Sequence, residues 1–343
     1  MQPAGEQLIT LTVKEIHEAA NGFKTIMFEE NVDYQPGQYL TFIYNDQGKE
    51  IRRSYSMLSV PGEPLTIGVK RIENGVFSRY LTDRVKPGDK LVSAGAAGRF
   101  TIPAEINNYK QVFLFAAGSG ITPVYSLVKH LLFTIEHIKV ILVYSNHSHA
   151  RAAFIEDLQL LEKQFTGRLI NQFIFSTNKN LSLAHLNMDR VRQLVTTHGA
   201  GILDDSLYYI CGPHAYMRMV GYGLEAAGIS SNNIKKENFN TTRLPFKQRP
   251  PDTGNYTVYL TVNNQQYSFP VNYPDTILKA ARKAGLSIPY SCDTGRCGSC
   301  ALRCTQGTVW MSNNEVLIPH DIEAGLILTC VGHPVGGDIA LQG

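Results

Sequence analysis

The chain has 343 residues, of which 43% are apolar and 18% charged, and its formal net charge is +3. That length exceeds one ordinary core and suits two or three domains, and the composition excludes a disordered chain. No long basic run marks a nucleic-acid surface. No basic-then-apolar leader opens the sequence, and its most apolar stretch, from Val112, is broken by glycines and a proline. Six cysteines without an export signal point to a reducing compartment. The expectation is a cytoplasmic protein with no nucleic-acid partner and no membrane partner.

Residues 1–106 are predicted as an antiparallel β-barrel. LITLTVKEI, KTIMFEE, QPGQYLTFIY, IRRSYSML and LTIGVKRI are short β-rich runs, punctuated by turns at Pro36, Pro61 and Pro87. The texture changes over residues 107–240. QVFLFAA, IKVILVYS, LINQFIFST and SLYYICGP are apolar runs separated by helical segments such as PVYSLVKHLLF and AAFIEDLQLLEKQF. Alternation of this kind predicts an α/β doubly wound parallel sheet. TTRLPFKQRPPDTG, residues 241–254, is polar and proline-rich and reads as a linker. Over residues 255–343 a hairpin, YTVYLTV and QQYSFPV, precedes a helix, TILKAARKAG, and then a cysteine-rich loop.

That loop, CDTGRCGSC, holds the most specific signal in the chain. Structural zinc sites come as two short pairs of ligands, whereas C-x4-C-x2-C with a distant fourth cysteine is the plant-type 2Fe–2S pattern. Cys292, Cys297 and Cys300 fit it, with Cys330 in LTCVGHP as the fourth metal ligand. Cys304 is the competing fourth ligand. It lies in the strand-like ALRCTQGTV, where a cysteine packs as a small apolar residue. Thr294, Gly295, Gly298 and Ser299 keep the loop small enough for amide groups to approach sulfur.

IPYSCDTGRCGSC followed by LTC resembles a plant-type ferredoxin domain, which implies an α+β β-grasp fold and a one-electron carrier. Three further segments resemble the ferredoxin–NADP reductase family, in that family's order. RSYS matches its R-x-Y-S motif. The resemblance implies that Arg53 grips a flavin phosphate, Tyr55 stacks on the isoalloxazine, and Ser54 and Ser56 line the flavin, with Ser56 near the atom that receives hydride. GVFSRYL matches the second flavin segment, so Gly75, Val76, Phe77 and Ser78 would hold a pyrophosphate at a helix start. Val69 and Lys70 would pass near the adenine by main-chain contacts. A pyrophosphate implies FAD, with FMN the lesser option.

AAGSGITP is not a full G-x-G-x-x-G, because Pro123 stands at the third glycine. It matches the family's G-x-G-I-T-P, which implies that Gly118, Ser119, Gly120, Thr122 and Pro123 receive the nicotinamide dinucleotide. YICGP matches the family's C-G-P segment, which sets Cys211, Gly212 and Pro213 beside the nicotinamide. KENF matches its closing E-x-F, with Glu237 at the reacting rings and Phe239 shielding the flavin. Ser56, Cys211 and Glu237 are thus the candidate catalytic residues. Arg151, four residues past His147, is available for a 2′-phosphate, and no acidic residue ends the second parallel strand. NADPH is the expected donor, with NADH possible.

The implied function is an NAD(P)H oxidoreductase that passes electrons singly through FAD and a 2Fe–2S cluster to an oxygenase or other acceptor protein. The domain order resembles the reductase components of phenylacetyl-CoA epoxidase and related oxygenase systems. A stand-alone diaphorase, or the reductase of another hydroxylase or demethylase, is the alternative.

Overall fold

The computed structural model describes residues 8–46, 48–199, 201–240 and 248–343. Its contacts divide the chain into two compact units, one of Ile9–Asn238 and one made chiefly of Phe239–Gly343. Among the described residues, no helix is long and apolar enough to cross a membrane.

The first unit opens with β1 (Ile9–Ala20), β2 (Phe23–Phe28), β3 (Tyr39–Asp46), β4 (Lys49–Ser56), β5 (Thr66–Lys70), a helix α1 (Val76–Asp83) and β6 (Lys90–Ala97). The strands run β4-β3-β6-β1-β2-β5, every pair antiparallel. The two edges meet where Met57, just past β4, bridges Ile67 of β5, so the sheet closes into a barrel. Alternation supplies the inside. Leu11, Val13, Ile26, Leu40, Phe42, Ile67 and Val69 are buried, and a register shift between Val13 and Glu15 lets β1 bend without losing its partner.

The same unit continues with β7 (Gln111–Ala117), α2 (Ile121–Thr134), β8 (Lys139–Asn146), α3 (Ile155–Gln164), β9 (Leu169–Phe175), α4 (Leu181–Ala184), α5 (Met188–Gly199), β10 (Ser206–Cys211), α6 (His214–Ala226) and β11 (Ile234–Glu237). The order β11-β10-β7-β8-β9 is parallel throughout, as the continuous apolar runs require. Every residue of β7 is buried. Pro123 sits in the first turn of α2, where no intrahelical donor is lost. The far end of that helix is capped by Arg168, whose guanidinium donates to the carbonyls of Leu131, Leu132 and Ile135.

The second unit comprises β12 (Tyr256–Val262), β13 (Gln265–Val271), α7 (Ile277–Lys283), β14 (Ala301–Met311), α8 (Pro319–Glu323), β15 (Leu326–Leu328) and β16 (Gly332–Gln342). Its sheet runs β13-β12-β16-β14-β15, with β12 and β16 parallel and the other pairs antiparallel. Val258, Leu260, Phe269, Ile277, Leu278, Ile339 and Leu341 form the core, and Cys300 and Cys330 belong to it.

Part of the expected linker, residues 241–247, lies outside the described residues. The rest is tied down. Asp252 accepts hydrogen bonds from the amides of Gly254 and Gly336, each at 2.8 Å, and from the Tyr256 hydroxyl, while the Arg249 guanidinium lies over the Tyr273 ring. A polar, proline-rich composition signals an irregular path, and these carboxylate bonds give that path a fixed place.

Within the first unit the barrel and the parallel sheet are joined at Gly37, whose amide donates to Ser126 Oγ of α2 at 2.9 Å. Its φ is +89°, and a Cβ there would stand 2.0 Å from the Phe100 carbonyl oxygen. A left-handed backbone and a backbone clash each disfavour a side chain, so Gly37→Ala should cost about 2–4 kcal/mol. Thermal and chemical unfolding should both show an earlier transition; an unchanged midpoint would refute the junction.

Candidate functional site

RSYS occupies the end of β4. Alternation turns Ser56 inward, 1% exposed, and leaves Arg53 facing solvent, its Nη1 donating to the Arg52 carbonyl at 2.7 Å. The Ser54 hydroxyl pairs with that of Thr41 at 3.0 Å. Tyr55 packs against Phe42 and Phe77, and burial raises its phenol well above the ordinary value. Gly75 caps α1. The hydroxyl of Ser78, expected to hold phosphate, is engaged locally: it accepts from the Ile72 amide at 3.2 Å and donates to the Gly75 carbonyl at 3.3 Å. Ser78 therefore shapes the turn that presents the free amides of α1's first turn. The Phe77 ring is buried among Tyr44, Tyr55 and Tyr80, whereas Val76 is half exposed. A cleft of about 240 Å³ opens beside them, lined by Tyr44, Asp46, Val76, Arg79, Tyr80, Asp83 and Arg84. Its aromatic rings and guanidinium groups suit a flat ring and a phosphate. Arg79 and Tyr80 fall within GVFSRYL without an expected role, and Tyr44 lies outside the motifs.

Gly118, Ser119 and Gly120 form a short turn between β7 and α2. Gly118 has φ +57°, and a Cβ on Gly120 would lie 2.1 Å from the Cys211 carbonyl oxygen. The glycines thus serve a close approach to the end of β10 as well as a bare cradle for a ligand. Thr122 is buried. Its hydroxyl donates to the Ser119 carbonyl at 2.9 Å, and its methyl fills the space a side chain at Gly68 of β5 would need. Gly212 packs tightly on Ala117 and Tyr216, and Pro213 stands just before α6 at its N-cap.

A cleft of about 250 Å³ runs over this turn, lined by Gly118, Ser119, Tyr144, Asn146, His147 and Arg151 from one side and by Asn21, Gly22, Phe23, Lys70 and Arg71 from the barrel. The motifs imply only main chain from Lys70, yet its ammonium stands 3.4 Å from the Cβ position of Gly118. Arg71 lies outside every motif; it is held by a two-pronged pair with Asp83. Asn146 fixes the loop, its amide donating to the Tyr144 hydroxyl and the Arg151 carbonyl, each at 3.1 Å.

Ser56, Cys211 and Glu237, 181 residues apart at the extremes, come together. Cys211 and Glu237 are register partners at the ends of β10 and β11, and the Ser56 hydroxyl donates to Glu237 Oε2 at 3.3 Å. All three are buried. Burial pushes the Glu237 carboxyl up to about 8, and the bond from Ser56 offsets this only in part. Burial first, and the neighbouring Glu237 second, raise the Cys211 thiol well above its ordinary value. Phe239 groups with the second unit and is 40% exposed.

In the second unit the loop between α7 and β14 takes left-handed backbone at Asp293, Gly295 and Gly298. These turns bring four sulfurs together. The Cys292 thiol contacts those of Cys297 and Cys330, and Cys300 contacts Cys330. The contacts lower Cys292 and Cys300 and raise Cys297 and Cys330. The amide of Arg296 points at Cys292, and that of Cys330 at Cys300. Cys304 stands apart, its Sγ donating to the Gln306 carbonyl at 3.3 Å. Two pairs of thiols under amide donors are a donor set that fits a two-iron cluster. Among the described residues, no three His, Cys, Asp or Glu side chains are placed to hold one metal ion.

Glu237 gives a pH signature. The unfolded carboxyl ionises near 4.5 and the folded one near 8, so between these values the folded chain keeps a proton that the unfolded chain has lost. Its contribution to stability therefore falls as pH rises through that window and levels off above it. Glu237→Gln cannot ionise, so its stability relative to wild type should grow from pH 5 to 8 by denaturant titration. A constant difference would mean that Glu237 is ionised in the fold.

Family models match in three places: a 2Fe-2S iron-sulfur cluster binding domain over residues 260–335, an oxidoreductase NAD-binding domain over 114–221, and an oxidoreductase FAD-binding domain over 14–102. The chain is 31% identical to the ferredoxin reductase component of 3-ketosteroid-9-alpha-monooxygenase from Rhodococcus rhodochrous, over 99% of this chain and 98% of that one. It is 30% identical to one of the subunits of the 1,2-phenylacetyl-CoA epoxidase of Escherichia coli strain K12, over 97% of each. The fold matches phthalate dioxygenase reductase with a TM-score of 0.60 at 21% identity, over 98% of each chain. With three domain matches in one chain and relatives similar along their whole length, the chain belongs to the ferredoxin–NADP reductase family in its form with a C-terminal 2Fe–2S ferredoxin domain, and is an NAD(P)H oxidoreductase that uses FAD and a 2Fe–2S cluster.

Proposed function

We propose that this chain takes hydride from NADPH and delivers the electrons one at a time to an oxygenase component, of the phenylacetyl-CoA epoxidase type. The observation that carries the reading is the convergence of Ser56, Cys211 and Glu237 in one buried place, where the barrel strand bearing RSYS meets two strands of the parallel sheet. Bound FAD accepts two electrons as hydride and can release them singly, and a 2Fe–2S cluster carries one.

The chain's own groups set the conditions. Ser56 presents its hydroxyl where the flavin receives hydride. Glu237, protonated at neutral pH, holds a proton on its carboxyl beside Ser56. Cys211, kept neutral by burial, packs against the nicotinamide and excludes water. Arg53, Ser54 and Tyr55, with Val69 and the turn of Gly75, Val76, Phe77 and Ser78, seat the flavin. Gly118, Ser119, Gly120, Thr122, Pro123, Gly212 and Pro213 seat the dinucleotide. Lys70, Arg71 and Arg151 line one cleft, and three cations there favour the donor with the extra phosphate. Cys292, Cys297, Cys300 and Cys330 are the cluster ligands. The domains in this reading are 1–106 for FAD, 107–240 for NADPH, 241–254 as linker and 255–343 for the cluster. Cysteines that hold a cluster rather than pair in disulfides suit a cytoplasmic site of action.

A ketosteroid-monooxygenase-type acceptor is the second reading, supported by the Rhodococcus relative at 31% identity. Reconstitution with purified oxygenase components of both types decides between them, since only the true acceptor should couple NADPH oxidation to product. Cys330→Ser should lose the iron–sulfur absorbance and the coupling but keep flavin reduction, whereas Cys304→Ser should keep all three. NADPH oxidation that reduces dyes but drives no oxygenase would make the protein a stand-alone diaphorase.

A further inference from the structure

Beside Cys297 lies a charged pair that no motif announces. The Arg296 side chain is only 4% exposed, and its Nε donates to Glu315 Oε1 at 2.8 Å, the Glu315 side chain being 25% exposed. A guanidinium leaves water at a high cost unless an anion and further acceptors receive it. Here Glu315 is the anion, and the Asn240 carbonyl accepts from Nη1 at 3.3 Å. The segment that carries Glu315 is fastened to the same loop. The Glu315 amide donates to the Gly295 carbonyl at 3.0 Å, and Asn313 Nδ2 donates to the Thr294 carbonyl at 2.8 Å and to Glu315 Oε1 at 3.3 Å. A Cβ on Gly295 would stand 2.7 Å from the Asn313 carbonyl oxygen, so the two segments touch through backbone. The main-chain amide of Arg296 is meanwhile aimed at the Cys292 sulfur.

We propose that Arg296 and Glu315 are a positioning pair that sets how readily the group held by the four cysteines is reduced. Reduction would add one electron, supplied by the reduced flavin, and therefore one negative charge to the group that the sulfurs hold. A cation next to Cys297 favours that added charge and an anion opposes it, and the buried guanidinium above all acts through a medium that screens it weakly. The guanidinium also anchors the turn that aims the Arg296 amide at Cys292, and hydrogen bonds to sulfur favour the more negative state in the same sense. The two side chains thus act in opposite directions on one property. A pair that merely fastened a loop would not. The inference rests on the four cysteines being the ligands.

The test is an EPR-monitored redox titration of the purified holoenzyme, with iron and flavin content measured alongside. Wild type, Arg296→Gln, Arg296→Lys, Glu315→Gln and the Arg296→Gln/Glu315→Gln double variant are compared. The expected result is a lower midpoint for Arg296→Gln, a higher one for Glu315→Gln, and an intermediate value for the double variant. Arg296→Lys, which keeps the charge, should stay nearer to wild type than Arg296→Gln. Equal midpoints in all variants overturn the proposal. So does a shift in the same direction for both single variants, or a loss of iron in every variant, since either result leaves only a structural role. A wild-type protein with iron absent and flavin intact would instead overturn the ligand assignment.

Discussion

A serine hydroxyl bonded to a buried carboxyl is the contact on which the reductase unit turns. Ser56 ends a barrel strand and Glu237 ends a strand of the parallel sheet, and the bond between them crosses from one sheet to the other. Neither group would be stable there alone. A buried ionised carboxylate is strongly disfavoured, so Glu237 keeps its proton to about pH 8, and a buried hydroxyl needs an acceptor. Each supplies what the other lacks. The result is a polar point in an apolar setting, next to the neutral thiol of Cys211, where a proton can be held without a net charge.

Close backbone approach gives that point its geometry. Gly120 lets the turn after β7 come against the carbonyl of Cys211, and Gly68 leaves room on β5 for the methyl of Thr122. The same turn lies under the cleft that Lys70 and Arg71 reach from the barrel and Arg151 reaches from the sheet. Cleft and polar point therefore adjoin the same turn between barrel and sheet, so a change that separates the barrel from the sheet disturbs both.

Much of this is legible in the sequence because local pattern dictates it. Continuous apolar runs mark β7, β8 and β10, alternation marks β12 and β13, and cysteine spacing marks a loop whose small residues do adopt left-handed backbone. What escapes is of another kind. LVSAGAA, which forms most of β6, has too many small residues to read as a strand, and its place is set by pairing with β1 and β3. The side chain of Lys70 reaches the cleft over Gly118 only because the end of β5 lies across from that turn. Arg71 reads as an ordinary surface cation until Asp83 fixes it. Arg296 and Glu315 are 19 residues apart with no motif between them. Ser78 is a different case: the motif implies a phosphate contact, and the structure shows its hydroxyl bonded within its own turn. Contacts between distant segments depend on tertiary placement, which spacing along the chain does not encode.

The second unit places redox chemistry within a hydrophobic core. Cys300 and Cys330 are core residues, Cys292 and Cys297 are half-buried, and amides face the sulfurs, so the donor set is partly shielded and polarised. The central claim is that electrons entering as hydride leave through these four sulfurs. Anaerobic titration of the purified protein with NADPH, and then in a separate sample with NADH, followed by visible absorbance, tests it most directly. The account predicts that NADPH bleaches both the flavin and the iron–sulfur bands and does so at lower concentration than NADH. Bleaching of the flavin alone, with the iron–sulfur bands intact, would contradict it.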